Sequence, residues 1–173
     1  MDRLDRYKVD LKEVANATLE RDWHLGDDFF GEVQSSDIQA GTVDVHLSVK
    51  PVGGALKMLF SISGEVQVAC DRCLEPMTLP VSVERELTAR WGEEYDDDGE
   101  TLTIPEGTGE VNVAWNIYEF ISLEVPMRHV HPEGECHGEV EELLEQYGAE
   151  EPGEEQEAPI DERWSELKKI LDN

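Results

Sequence analysis

Cys70 and Cys73 stand two residues apart in VACDRCLEPM, and the chain holds one further cysteine, Cys136, inside RHVHPEGECHGE. Three uses of the close pair stay open: a redox couple, half of a metal site, or two small packed core residues. A redox couple of the Cys-x-x-Cys kind needs its first thiol at a helix N-terminus, where free amides and the helix dipole stabilise the thiolate. Here the pair follows strand-like sequence, and LEPMTLPVSVE after it carries two prolines and alternation rather than a helical pattern. Asp71 and Glu75 beside the thiols further disfavour a thiolate. A thiol-based redox sensor or enzyme using Cys70 or Cys73 is therefore the alternative reading.

Two cysteines on a tight turn can instead face one zinc ion, provided that two more ligands come from elsewhere. Cys136 is the natural third, with His129, His131 and His137 around it and a turn at Pro132 and Gly134 between His131 and Cys136. The metal-site reading is thus a structural Cys3His set made of Cys70, Cys73, His131 and Cys136, with His129 as the competitor for the histidine position. No other enzyme chemistry is written in the chain: the sequence has no P-loop, dinucleotide fingerprint or Ser-His-Asp array. The expectation is a protein that is not an enzyme.

Charge narrows the partners. The 173 residues carry a formal charge of -27 with a pI near 4.3. Nucleic-acid affinity rests on Lys and Arg meeting phosphates, so direct RNA or DNA binding is disfavoured, and a basic protein is the better complement. The N-terminus shows no signal-peptide pattern, and no run approaches the roughly 20 apolar residues of a membrane span. A cytoplasmic setting is expected, where a stable disulfide is disfavoured.

The elements that must position the cysteines read as an antiparallel sheet. Val43, Val45, Leu47 and Val49 alternate with Asp44, His46 and Ser48, which predicts a strand with one wet face. Pro51 to Gly54 predicts a turn, Leu56 to Val68 its partner strand, and Met77 to Trp91 a third strand. GEEYDDDGE, residues 92 to 100, reads as an exposed acidic loop, without the regular ligand spacing of a calcium loop. NVAWNIYEFISLEVP predicts a core helix at about 112 to 125, capped by Asn112 and stopped by Pro126, with Trp115, Phe120 and Leu123 making it apolar on more than one side. Residues 133 to 162 contain no Lys or Arg, and AEEPGEEQEAP has the composition of a disordered linker. Val140 to Tyr147 predicts a short helix before it, and PIDERWSELKKILDN an amphipathic helix after it. The fold expected is α+β: an antiparallel, partly curled sheet from about residue 30 to 110, a packed core helix, and an acidic, partly disordered C-terminal tail. The organisation expected is a domain at 1–148, a linker at 149–160 and a terminal helix at 161–173.

GEVQVACDRCLEPMTLPV, together with DDFFGEVQSSDI, GTVDVHLSV, SLEVPMRHVHPEGEC and DERWSELKKIL, resembles the bacterial YceD family of large ribosomal RNA subunit accumulation proteins. The spacing between the CxRCLE element and the Pro-x-His-x-Cys region is its most specific part, and the likeness spans most of residues 20 to 173. The resemblance implies a cytosolic factor connected with accumulation of large-subunit ribosomal RNA rather than an enzyme. With the charge, it points to a basic ribosomal protein or assembly factor as partner. Many members carry a pair of thiols in the C-terminal cysteine region; here Cys136 stands alone, and a four-ligand metal site would need His131 in place of a sulfur.

Overall fold

A computed structural model describes residues 3–14, 17–132, 134–136 and 138–147. The chain divides into two compact units between His137 and Gly138. The first is α+β, built on a six-stranded sheet. Its long strands are β3 (Ile38–Val52), β4 (Ala55–Ala69) and β5 (Pro76–Gly92), which form an antiparallel meander. β3 and β4 are joined through Gly53 and Gly54, whose φ values of 60° and 86° are the left-handed pair that a two-residue hairpin turn demands. Before these strands come β1 (Lys8–Asp10) and β2 (Leu19–Leu25), and after them β6 (Asp96–Asp97), β7 (Thr101–Pro105) and β8 (Glu110–Asn112).

The sheet order is β2-β3-β4-β5-β7-β6, with β5 and β7 parallel and every other neighbour antiparallel. The sheet stays open between edge strands β2 and β6 rather than closing on itself. β1 and β8 make a separate two-stranded ribbon. Residues 148–173, which hold all of the expected linker and all of the expected terminal helix, lie outside the described residues.

Alternation sorts the long strands into a dry and a wet face. Val43, Val45, Leu47 and Val49 of β3 meet Met58, Phe60 and Ile62 of β4 in the buried cluster, joined by Val81, Val83 and Leu87 of β5. The opposite face carries Asp44, His46, Ser63, Ser82 and Glu84. Ser48, expected among them, is buried instead.

Over the dry face lie α1 (Asp27–Glu32), through Phe29 and Phe30, and α2 (Ala114–Glu124), through Ile117, Phe120 and Ile121. Phe120 meets Phe60 edge to face at 5.3 Å. Trp115 and Leu123 are exposed, so α2 buries one face and is not surrounded by core. Asn112 caps from one residue further out than expected: Val113 holds the cap position, and the Asn112 Oδ1 accepts the Ala114 N–H at 3.0 Å. Val125 turns extended ahead of Pro126, ending the helix as the residue before a proline should.

Between β5 and β7 the acidic loop is exposed as its composition dictates, with Asp96 and Asp97 adding the short edge strand. The buried Asn116 amide donates to Asp97 Oδ2 at 3.0 Å and ties that edge to α2. Among the described residues no helix is long and apolar enough to cross a membrane. The second unit contains α3 (Gly138–Tyr147), the short helix expected before the linker.

Candidate metal centre

β4 and β5 are paired from Leu56 with Ala89 to Ala69 with Pro76, so the hairpin between them must turn around at residues 70 to 75. That turn is the CDRCLE sequence. The Cys70 N–H donates to the Glu75 carbonyl and the Leu74 N–H to the Cys70 carbonyl, both at 2.9 Å. Leu74 takes a φ of +62°, a left-handed conformation that costs a leucine of the order of 1 kcal/mol. The closure wraps the backbone round Cys70, whose sulfur also receives the Arg72 N–H at 3.4 Å.

The second half of the site arrives from beyond α2. Pro126 redirects the chain, and a turn in which the Glu135 N–H donates to the Pro132 carbonyl at 3.1 Å folds Cys136 back toward His131. Cys73 Sγ lies 3.3 Å from His131 Nδ1, Cys70 Sγ 4.0 Å from Cys136 Sγ, and Cys136 Sγ 3.9 Å from His131 Nδ1. The four ligand atoms all lie within 4.8 Å of one another. A tetrahedral ion with bonds of roughly 2.3 Å to sulfur and 2.1 Å to nitrogen requires ligand-to-ligand edges of roughly 3.6 to 3.8 Å. The observed separations bracket that requirement, and Cys70 and Cys136 are far outside the roughly 2.05 Å of a disulfide. All three thiols are free.

Electrostatics of the cluster fit the same use. Burial opposes ionisation of Cys70, yet the backbone N–H groups of Cys73, Arg72 and His131 outweigh it and pull the thiol down to about 6, against the expectation that Asp71 and Glu75 would disfavour a thiolate there. Burial, then the neighbouring thiols of Cys73 and Cys70, push Cys136 up to about 11. One thiolate is therefore welcome in the pocket and a second is resisted, the imbalance a central cation removes by drawing all three sulfurs into the charged form. Cys70 and Cys136 are 0% and 6% exposed, which closes both sulfurs to attack from solvent. Cys73 is half-buried, and the strand turn that carries it lacks the exposed helix N-terminus that a reactive thiol would use.

All four residues singled out in the sequence meet here, and of the two competing histidines it is His131 whose ring lies with the three sulfurs. His129 has another task, which sequence reasoning missed along with that of Asp71. The Asp71 N–H donates to the His129 carbonyl at 2.9 Å, and the His129 N–H returns a bond to Asp71 Oδ2 at 2.7 Å. The His129 ring is held between Asp71 Oδ1, 3.5 Å from Nε2, and the Pro126 carbonyl, 3.0 Å from Nδ1. Asp71 thus locks the His131-bearing segment onto the cysteine turn. The signal was present as an acid between two cysteines and a histidine two residues before the ligand, but only tertiary structure joins them. His137 lies outside the described residues.

No curated protein and no solved structure matches this chain. Residues 58–171, from near the start of β4 through the cysteine turn, α2 and the His131–Cys136 segment, match the family described as "Large ribosomal RNA subunit accumulation protein YceD". With well over half its length matched, and Cys70, Cys73, His131 and Cys136 all inside the matched part, the chain belongs to the YceD family.

Proposed function

We propose that this protein is a non-enzymatic cytoplasmic factor supporting the accumulation of large-subunit ribosomal RNA, and that it works through a basic protein partner. The family match over residues 58–171 carries the reading. The formal charge of -27 supports the indirect route, because a field of that sign opposes phosphate and favours a Lys- and Arg-rich ribosomal protein or assembly factor.

In this reading Cys70, Cys73, His131 and Cys136 hold a structural zinc ion. Three thiolates and an imidazole in tetrahedral arrangement suit zinc, and four protein ligands leave no position for substrate. When bound, the ion supplies a cross-link and charge neutralisation. The chain's own part is to present sulfur from a strand turn, present nitrogen from the post-helix loop, and fix the two segments through Asp71 and His129.

The test is the ratio of large- to small-subunit ribosomal RNA in cells depleted of the protein and complemented with wild type or with Cys70→Ser/Cys136→Ser. Wild type should restore the ratio and the double variant should not. A ratio unaffected by depletion refutes the function. Purified protein that binds ribosomal RNA fragments tightly at physiological salt while ignoring basic large-subunit proteins refutes the indirect route.

A further inference from the structure

The wet face of the sheet carries a second group of metal-ligating side chains, remote in sequence from the cysteine turn. Asp-x-His occurs twice, as Asp22-Trp23-His24 on β2 and Asp44-Val45-His46 on β3. The antiparallel register sets Asp22 opposite His46 and His24 opposite Asp44. Each histidine therefore leans across to the other strand's carboxylate: His24 Nδ1 to Asp44 Oδ1 and His46 Nδ1 to Asp22 Oδ1, both at 2.7 Å.

A carboxylate on one ring nitrogen fixes the tautomer that donates there and leaves the other nitrogen with its lone pair free. Metal-bound histidines are habitually oriented in this way. Among the described residues neither Nε2 has a hydrogen-bond partner. The two pairs stand on the same face on either side of the Trp23–Val45 row, so the histidines are diagonal neighbours, about 7–8 Å apart at their Cα atoms, a span that long side chains bridge. They line one open depression of about 510 Å³ with Ser61 and Ser63. The strongly negative chain concentrates cations at its surface.

We infer that the reciprocal pairs His24–Asp44 and His46–Asp22 form a second cation site, for a divalent transition ion of the zinc, nickel or copper class. His24 and His46 supply two Nε2 ligands and water completes the shell; the carboxylates position the rings. Imidazole selects these ions over calcium and magnesium, which prefer all-oxygen shells. Because β2 is an edge strand, an ion held jointly by β2 and β3 pins that edge to the sheet.

The experiment titrates nickel or zinc ions into the full-length protein with its cysteine cluster already zinc-loaded, followed by calorimetry and by the imidazole nitrogen resonances. One further equivalent should bind, shifting Nε2 of His24 and His46 and slowing amide exchange in β2. His24→Gln and His46→Gln should each weaken it at least about tenfold, and the double variant should abolish it. Asp22→Asn or Asp44→Asn should weaken it about 10–100-fold while both imidazoles remain. These side chains are exposed, and an unchanged circular dichroism spectrum separates lost ligands from lost fold. The inference is overturned if no further equivalent binds, if binding survives in the double variant, or if calcium competes on equal terms.

Discussion

Replacing Asp71 by alanine isolates the brace from the ligands it serves. The carboxylate accepts the His129 N–H at 2.7 Å, a charge-assisted bond of a kind worth about 1.5–3 kcal/mol. The side chain is 43% exposed, so water recovers part of that and the lower figure, about 1.5 kcal/mol, applies. The Asp71 N–H bond to the His129 carbonyl is made by the main chain and survives the substitution. Asp71→Ala should therefore loosen the His131 segment without detaching it, and weaken zinc by about tenfold, the low end of what removal of such outer partners costs. Competition against a chromophoric chelator at neutral pH reads this directly, with Glu75→Ala as a control because Glu75 serves the turn through its carbonyl alone. Urea unfolding in excess chelator should show a much smaller difference between wild type and variant than unfolding with zinc. An affinity unchanged within twofold, or an equal loss of stability with and without the metal, refutes the brace.

The same turn predicts a gain. Leu74 is 77% exposed with φ +62°, so Leu74→Gly should raise stability by up to about 1 kcal/mol, read by urea unfolding, while Leu74→Val lowers it. Gly64→Ala runs the other way: with φ +156° in β4, a Cβ there would lie 2.2 Å from the Thr42 carbonyl oxygen and 2.7 Å from Val43 Cα, so the loss should exceed about 1 kcal/mol. Phe60→Ala, at a fully buried ring touching Phe120, should cost about 3–5 kcal/mol. The backbone N–H groups of Thr101 and Glu100 hold the Asp98 carboxyl below its ordinary value. Its contribution is full above the unfolded-state pKa and is lost as pH falls through the lower folded value; Asp98→Asn should flatten that part of the acid limb in pH-dependent unfolding.

Legibility followed the range of the forces involved. β3, β4 and β5 were readable because a sheet with one wet face writes a period of two into the sequence, as Val43 to Val49 shows. α1 went unread: DDFFGE is six residues long, too short to display a helical period, and its Phe29 is held by a tertiary contact with Tyr7. β2 hid behind LERDWHL, where Arg21 and Trp23 occupy inward positions and blur the alternation. The parallel contact of β5 with β7 joins segments on either side of an acidic loop, and no local pattern announces it. At the candidate site the clustering of Cys70, Cys73, His131 and Cys136 was legible because a zinc site admits few residue types. The brace was not, since Asp71 and His129 are common residues whose role exists only once the loop beyond α2 lies against the turn.

The position of the cluster decides what metal loss should do. Cys70 and Cys136 are buried, yet neither belongs to the apolar core that joins β3, β4, β5, α1 and α2. Losing the ion should therefore release a segment and leave the sheet standing. Cys73 and His131 are 58 positions apart, and a cross-link closing a loop of that size constrains the unfolded chain by up to about 4 kcal/mol. That stabilisation is large beside the few hydrogen bonds that otherwise tie residues 126 to 136 to the turn, of which the Asp71–His129 pair is the chief. Chelation should accordingly raise amide exchange from Met127 through Cys136 and at Asp71 and Leu74, while the amides of Val45, Phe60 and Val83 stay protected. Cys136→Ser should reproduce the pattern without chelator. Uniform loss of protection across β3 to β5 would show that the cluster holds up the core itself, and no change at Asp71 would show that the turn and the His131 segment are joined by something other than the ion.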